Sequence, residues 1–196
     1  MPSAKTVNLD LHAMSTLRYI RDSMDAAGGV AVPGSAGIAM GVVGLIATAL
    51  SLTPQFAPHW FAIWLAVAPV GVLAGALLLT KQASVGAFIA SGTPGRKLAL
   101  GLVPSLFAGA VLTAVLWNVG SIAAVPGTWL LLYGCALISA SVSTKAIVTW
   151  MGACFVVLGV LAMLSPTEWQ VPLLGLGFGG LHILFGILIG RGAHGR

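Results

Sequence analysis

Acidic side chains are rare in this 196-residue chain: there are four, Asp10, Asp22, Asp25 and Glu168, and none lies inside an apolar stretch. A carboxylate buried in a membrane is the usual means of coupling transport to protons or sodium. Paired carboxylates also serve general acid/base catalysis, and clustered ones hold hard metal ions. All three chemistries are disfavoured, and no metal ligand set and no cofactor is expected. Charge of either sign is scarce, with 7% charged against 58% hydrophobic residues and a mean hydropathy of +1.03. A water-soluble domain of this length needs far more polar surface, so the lipid bilayer is the expected solvent and partner. The two cysteines, Cys135 and Cys154, sit in apolar runs, where a free Cys behaves as a small hydrophobe; they define neither a disulfide framework nor a redox compartment. The net charge of +5 comes without a dense basic cluster interleaved with aromatics, which argues against nucleic acid as a partner.

What the chain does have is long apolar runs. About 30 Å of hydrocarbon takes about 20 residues at about 1.5 Å each. Six stretches meet or approach that length, at 34–53, 58–80, 98–123, 127–144, 146–164 and 171–190. The breaks carry turn chemistry: Thr53 and Pro54, Pro126 and Gly127, Ser165 and Pro166, with Pro172 suited to a first helical turn. The fourth stretch is short and ends in Ser139, Ser141, Ser143 and Thr144, so that end is expected to face other helices or a wet cavity. The first run starts only at residue 34 and no cleavage-site pattern follows it, as expected of a retained helix and not of a signal peptide.

Six crossings put both termini on one side. Every basic residue (Lys5, Arg18, Arg21, Lys81, Arg96, Lys97, Lys145, Arg191 and Arg196) falls there, and the opposite loops hold none. The positive-inside rule makes that side cytoplasmic. Trp60, Trp64, Trp117, Trp129 and Trp169 fall at or near the opposite ends of their spans, as an aromatic belt would, and only Trp150 lies toward the basic end. Residues 9–26 read as an amphipathic helix, with Leu9, Ala13, Leu17, Ile20 and Met24 at spacings of three and four. Lying on the cytoplasmic leaflet suits it, and binding a partner is the alternative. The segment 81–97 ends in a basic turn but lacks the spacing of a phosphate-binding loop; contact with anionic headgroups is the expected role. The fold class is therefore an all-α polytopic bundle of six spans with both termini cytoplasmic. Residues 1–33 are a cytoplasmic segment, 34–190 the transmembrane domain and 191–196 a cytoplasmic tail.

His182 is the ionisable side chain expected near mid-membrane. A polar group at that depth needs a partner or a function. A neutral histidine hydrogen-bonded between helices ranks first, followed by a point on a solute or ion path. A haem ligand ranks last, because His59, the nearest other histidine in sequence among the spans, lies at the outer edge of the second one. Ser139, Ser143 and Asn118 complete the candidate intramembrane polar site; Asn118, near the outer end of the third span, also suits an interhelical hydrogen bond. Of twenty-six glycines, Gly175 with Gly179 and Gly186 with Gly190 have the small-xxx-small spacing that lets helix backbones approach closely. The sixth span is thus expected to be central to the bundle or to a dimer contact. Pro69 and Pro104 lie inside spans, where each removes a backbone donor. A faint internal echo relates Val32-Pro33-Gly34-Ser35 to Val125-Pro126-Gly127-Thr128, with Gly41 and Gly134 matching at the same offset. Three spans per half would make such halves inverted, as in many transporters, although short matches also arise by chance in a chain this rich in small apolar residues.

Tyr19-Ile20-Arg21-Asp22-Ser23-Met24 with Val32-Pro33-Gly34, the stretch from Ser91-Gly92 to Arg96-Lys97, and Gly177-Phe178-Gly179-Gly180-Leu181-His182-Ile183 with Phe185-Gly186 resemble, in order, motifs of a family of bacterial membrane proteins of about this length with no assigned activity. The resemblance implies six spans in a bacterial inner membrane and carries over no site residue. The leading expectation is a non-enzymatic accessory or structural subunit, associating with itself or with a membrane-complex partner. A small channel or facilitator for a neutral or weakly polar solute is the alternative, and a cofactor-binding subunit of a redox complex a weaker one.

Overall fold

The computed structural model describes residues 14, 16–17, 34–80, 94–141 and 146–194. All the regular structure among them is helical: α1 (Gly34–Leu52), α2 (Trp60–Thr80), α3 (Pro94–Asn118), α4 (Val125–Ser141), α5 (Ala146–Leu164), α6 (Gln170–Leu174), a π-helical segment (Gly175–Leu181) and α7 (His182–His194). The last three run on with helical dihedrals at both joints, at Gly175 and at His182, and form one rod. Five helical rods are long and apolar enough to cross a membrane, and α2 is a further apolar helix. Met14, Thr16 and Leu17 are helical and exposed. The rest of the 9–26 helix, Ser143 and most of 81–97 lie outside the described residues.

Helix ends follow local chemistry. At the end without basic residues, 3₁₀ turns at Ala57–His59, Ile122–Ala124 and Thr167–Trp169 lead into α2, α4 and α6. α3 begins at Pro94, a residue whose fixed φ and missing N–H suit a first turn, and not at 98. It stops at Asn118 and not at 123. The cause is Gly120, whose φ of 73° lets Ser121 N–H donate to the Leu116 carbonyl at 2.8 Å and Gly120 N–H to that of Trp117 at 3.1 Å. This is a Schellman closure, which satisfies the last carbonyls and turns the chain away.

The rods form an incomplete ring in the order α2, α1, the α6–α7 rod, α5, α4, α3. Glycine sets its closest contacts, because interhelical attraction in lipid rests on close packing more than on a hydrophobic drive. A Cβ on Gly41 would lie 2.7 Å from the Gly179 carbonyl oxygen, and one on Gly44 2.7 Å from that of Phe178, so α1 packs backbone to backbone on the last rod. Likewise a Cβ on Gly134 would lie 2.7 Å from the Gly152 oxygen, seating α4 on α5. Gly175 meets the Thr48 side chain, Gly179 that of Leu45, and Gly186 the backbone of Gly34 and Ile38 at 2.8 Å, whereas a Cβ on Gly190 would meet nothing within 4 Å. The matched glycines of the internal echo thus face different partners, α1 glycines the last rod and α4 glycines α5. Phe155, Leu130 and Leu174 fill the centre, fully buried.

The ring is open between α2 and α3. Among the described residues the two touch through a stacked pair at their non-basic ends, Phe61 on Trp117, with ring centroids 5.1 Å apart. Below that stack a cavity separates Trp64 to Gly71 of α2 from Ser105 to Thr113 of α3.

Candidate functional site

His182 is the first residue after the π-helical segment, Gly-Leu-Gly-Phe-Gly-Gly-Leu. A π-helical turn takes in an extra residue and widens the helix locally, an arrangement often found at functional sites. Four glycines make it possible here, since the segment is wedged between α1, the Leu130 side chain of α4 and the Phe155 ring of α5. The result aims His182 into the bundle, 2% exposed.

There its Nε2 lies 2.8 Å from the Tyr133 hydroxyl of α4. Aromatic rings enclose the pair: Phe155 stands edge-on to His182 at 5.3 Å, Phe178 lies nearly parallel at 6.0 Å, and Tyr133 meets both phenylalanines at about 5 Å. The other ring nitrogen, Nδ1, is buried and makes no hydrogen bond. With the proton on Nδ1, Nε2 accepts from the Tyr133 hydroxyl; with it on Nε2, the hydroxyl oxygen accepts.

Tyr133 also borders a cavity of about 330 Å³ that fills the gap between α2 and α3. Its floor is Met40 and Gly44 of α1 with Phe178, and its walls are Trp64 to Gly71 of α2 and Ser105 to Thr113 of α3. On the α4 side, Trp129 Nε1 donates to Thr113 Oγ1 at 2.7 Å, and Thr113 Oγ1 donates to the Gly109 carbonyl at 2.6 Å. That chain ties α4 to α3 and uses up both donors. The cavity is thus apolar with a few placed polar groups, the usual make-up of a small-molecule site.

The residues expected alongside His182 are elsewhere. Ser139 is exposed on α4, its backbone beside Gly101 of α3, and Asn118 is exposed as the last residue of α3. Neither takes part in the His182 environment, and Ser143 lies outside the described residues. His59 is exposed in the turn before α2, and among the described residues no three His, Cys, Asp or Glu side chains cluster. Sequence reasoning passed over Tyr133, Thr113 and Ser105. One signal was available, since Tyr133 is one of two tyrosines and the one within a span, the natural partner for a lone mid-span histidine. Comparison of the chain with protein-family models, with curated proteins and with solved structures finds no match.

Proposed function

We propose that this chain is a non-enzymatic, multi-pass protein of a bacterial inner membrane whose bundle takes in a neutral or weakly polar solute. The observation that carries this reading is the cavity between α2 and α3, which is lined in part by Tyr133, the hydrogen-bond partner of His182. Among the described residues no charged side chain lines it, so an ion would enter without a counter-charge there, at a high desolvation cost. The basic end faces the cytoplasm on this reading, in keeping with the positive-inside rule, and the cavity lies nearer the other face.

The test is flux into vesicles reconstituted with the full chain, using glycerol, urea and short-chain alcohols followed by light scattering. Flux above that of empty vesicles, lost in Tyr133→Phe and His182→Gln while both variants stay folded with only a modest fall in unfolding midpoint, is the expected result. Parallel loss of flux and folding makes the pair structural. Permeability equal to that of empty vesicles overturns the reading and returns the protein to an accessory or structural role, for which co-purification of a stoichiometric partner is then the measurement.

A further inference from the structure

The way into the cavity narrows the class of its ligand. At the non-basic end α2 and α3 are closed by the Phe61–Trp117 stack, with Trp129 packed on Phe61 at 6.4 Å. Sideways, between the same helices, no such closure exists among the described residues. Leu65 and Leu106, one on each helix, line the cavity and are 50% and 39% exposed, so they form an apolar rim to the opening. A molecule arriving from the aqueous end must displace an aromatic stack, whereas one arriving from lipid slides between two leucines.

The interior selects further. Few polar groups face it, so water gains little by filling it, and an apolar chain loses nothing on leaving lipid for walls of Met40, Val67, Ala68 and Ala110. Of the serine and threonine hydroxyls that line the cavity, Thr113 is bonded and Ser105, among the described residues, is not. Thr48, Thr113, Thr128, Ser141 and Ser165 each donate back to a carbonyl three or four residues earlier, as hydroxyls in apolar helices do. Ser105 lines the cavity and has no such bond. Trp64, 2% exposed, borders the same space with an Nε1 that makes no hydrogen bond. A volume of about 330 Å³ is at the lower end of ligand pockets, which run from about 300 to 1,000 Å³. It suits one chain and not the two chains and charged headgroup of a phospholipid.

Resting on the solute-binding reading above, we infer that the cavity admits a neutral single-chain amphiphile from the bilayer through the α2–α3 opening. Its chain lies along the apolar walls and its one hydroxyl or carbonyl meets the Ser105 hydroxyl.

The probe is a long-chain primary alcohol carrying a mid-chain diazirine, added to phosphatidylcholine vesicles containing the full-length protein, photolysed and mapped by peptide mass spectrometry. Adducts are expected in the stretches 64–71 and 105–110, competed by unlabelled alcohol. They should fall roughly tenfold, the change for about 1.4 kcal/mol of lost contact, in Gly71→Leu, where a Cβ meets nothing within 4 Å, and in Ala68→Trp at the exposed rim. Val157→Trp, on the exposed face of α5, should leave them unchanged. Ser105→Ala should weaken labelling by the alcohol and not by the matching alkane. Labelling spread evenly over all lipid-facing helices and indifferent to Gly71→Leu overturns the inference. If glycerol flux is nevertheless present and blocked by Gly71→Leu, the cavity is fed from water, which sinks this inference and spares the proposed function. If cavity labelling occurs without any flux, the inference stands and the transport reading falls.

Discussion

Tyr133 and His182 sit 49 positions apart on different rods, and each is the other's hydrogen-bond partner in an interior lined by phenylalanine. An interhelical hydrogen bond in a membrane is worth about 0.6 kcal/mol on average, whereas stranding one buried partner costs about 1–3 kcal/mol. Tyr133→Phe and His182→Leu are each expected to destabilise the protein within that range, and the double variant by less than the two effects added. Thermal unfolding in bicelles, arranged as a double-mutant cycle, measures the coupling; strict additivity would mean the pair is not formed. The histidine was legible in the sequence because a polar residue amid apolar ones is conspicuous. Its partner was not, because a tyrosine in a span contributes an apolar ring to every local pattern, and only the approach of α4 to the last rod reveals where its hydroxyl points. Ser139 and Asn118 misled for the converse reason, since polarity marks a candidate but says nothing about which way it faces.

At the scale of elements, glycine spacing carried more information than hydropathy. Each rod is apolar on every side, since lipid and protein interior favour the same side chains, so no amphipathic stripe distinguishes the packed face. Gly175, Gly179 and Gly186 mark that face on the last rod, and Gly41 and Gly44 mark the answering face of α1. Gly41→Leu is expected to cost at least the 1–3 kcal/mol or so typical of overpacking, because the obstacle is backbone, whereas Gly71→Leu, which projects into open space, should cost little; unfolding midpoints of the two variants decide this. The π-helical segment makes a second prediction. A π-bulge holds one extra residue between in-phase helices, so deletion of Gly180 should relax it to α-helix with α7 still seated on α1. Deletion of Leu161 within the regular α5 turns everything on one side of it by about 100° and should abolish folding. Recovery of monodisperse protein from the membrane separates the two cases. The segment itself was not legible, because α and π turns share nearly the same dihedrals and the choice is made by what packs around the glycines.

For the whole molecule, the distribution of basic residues predicts sidedness. In a chain carrying Cys135→Ser and Cys154→Ser, a membrane-impermeant maleimide should label Thr53→Cys and Thr167→Cys on intact cells, and Ser3→Cys or Gly195→Cys only after permeabilisation. The reverse pattern would invert the topology. The succession of apolar helices and most of their ends were determined by the sequence alone. Hydropathy, prolines and turn residues act over a few positions, so their effect is readable without knowing the neighbours; the early stop of α3 at Gly120 is the main departure, and its signal is local as well. The ring order, the opening between α2 and α3, and the meeting of Tyr133 with His182 were decided only by the tertiary structure. In a bilayer a helix has no polar face to turn outward, so burial leaves no period in the sequence. Which rods pack, and which stand apart to leave a cavity, follows from backbone approach at a few glycines on distant segments.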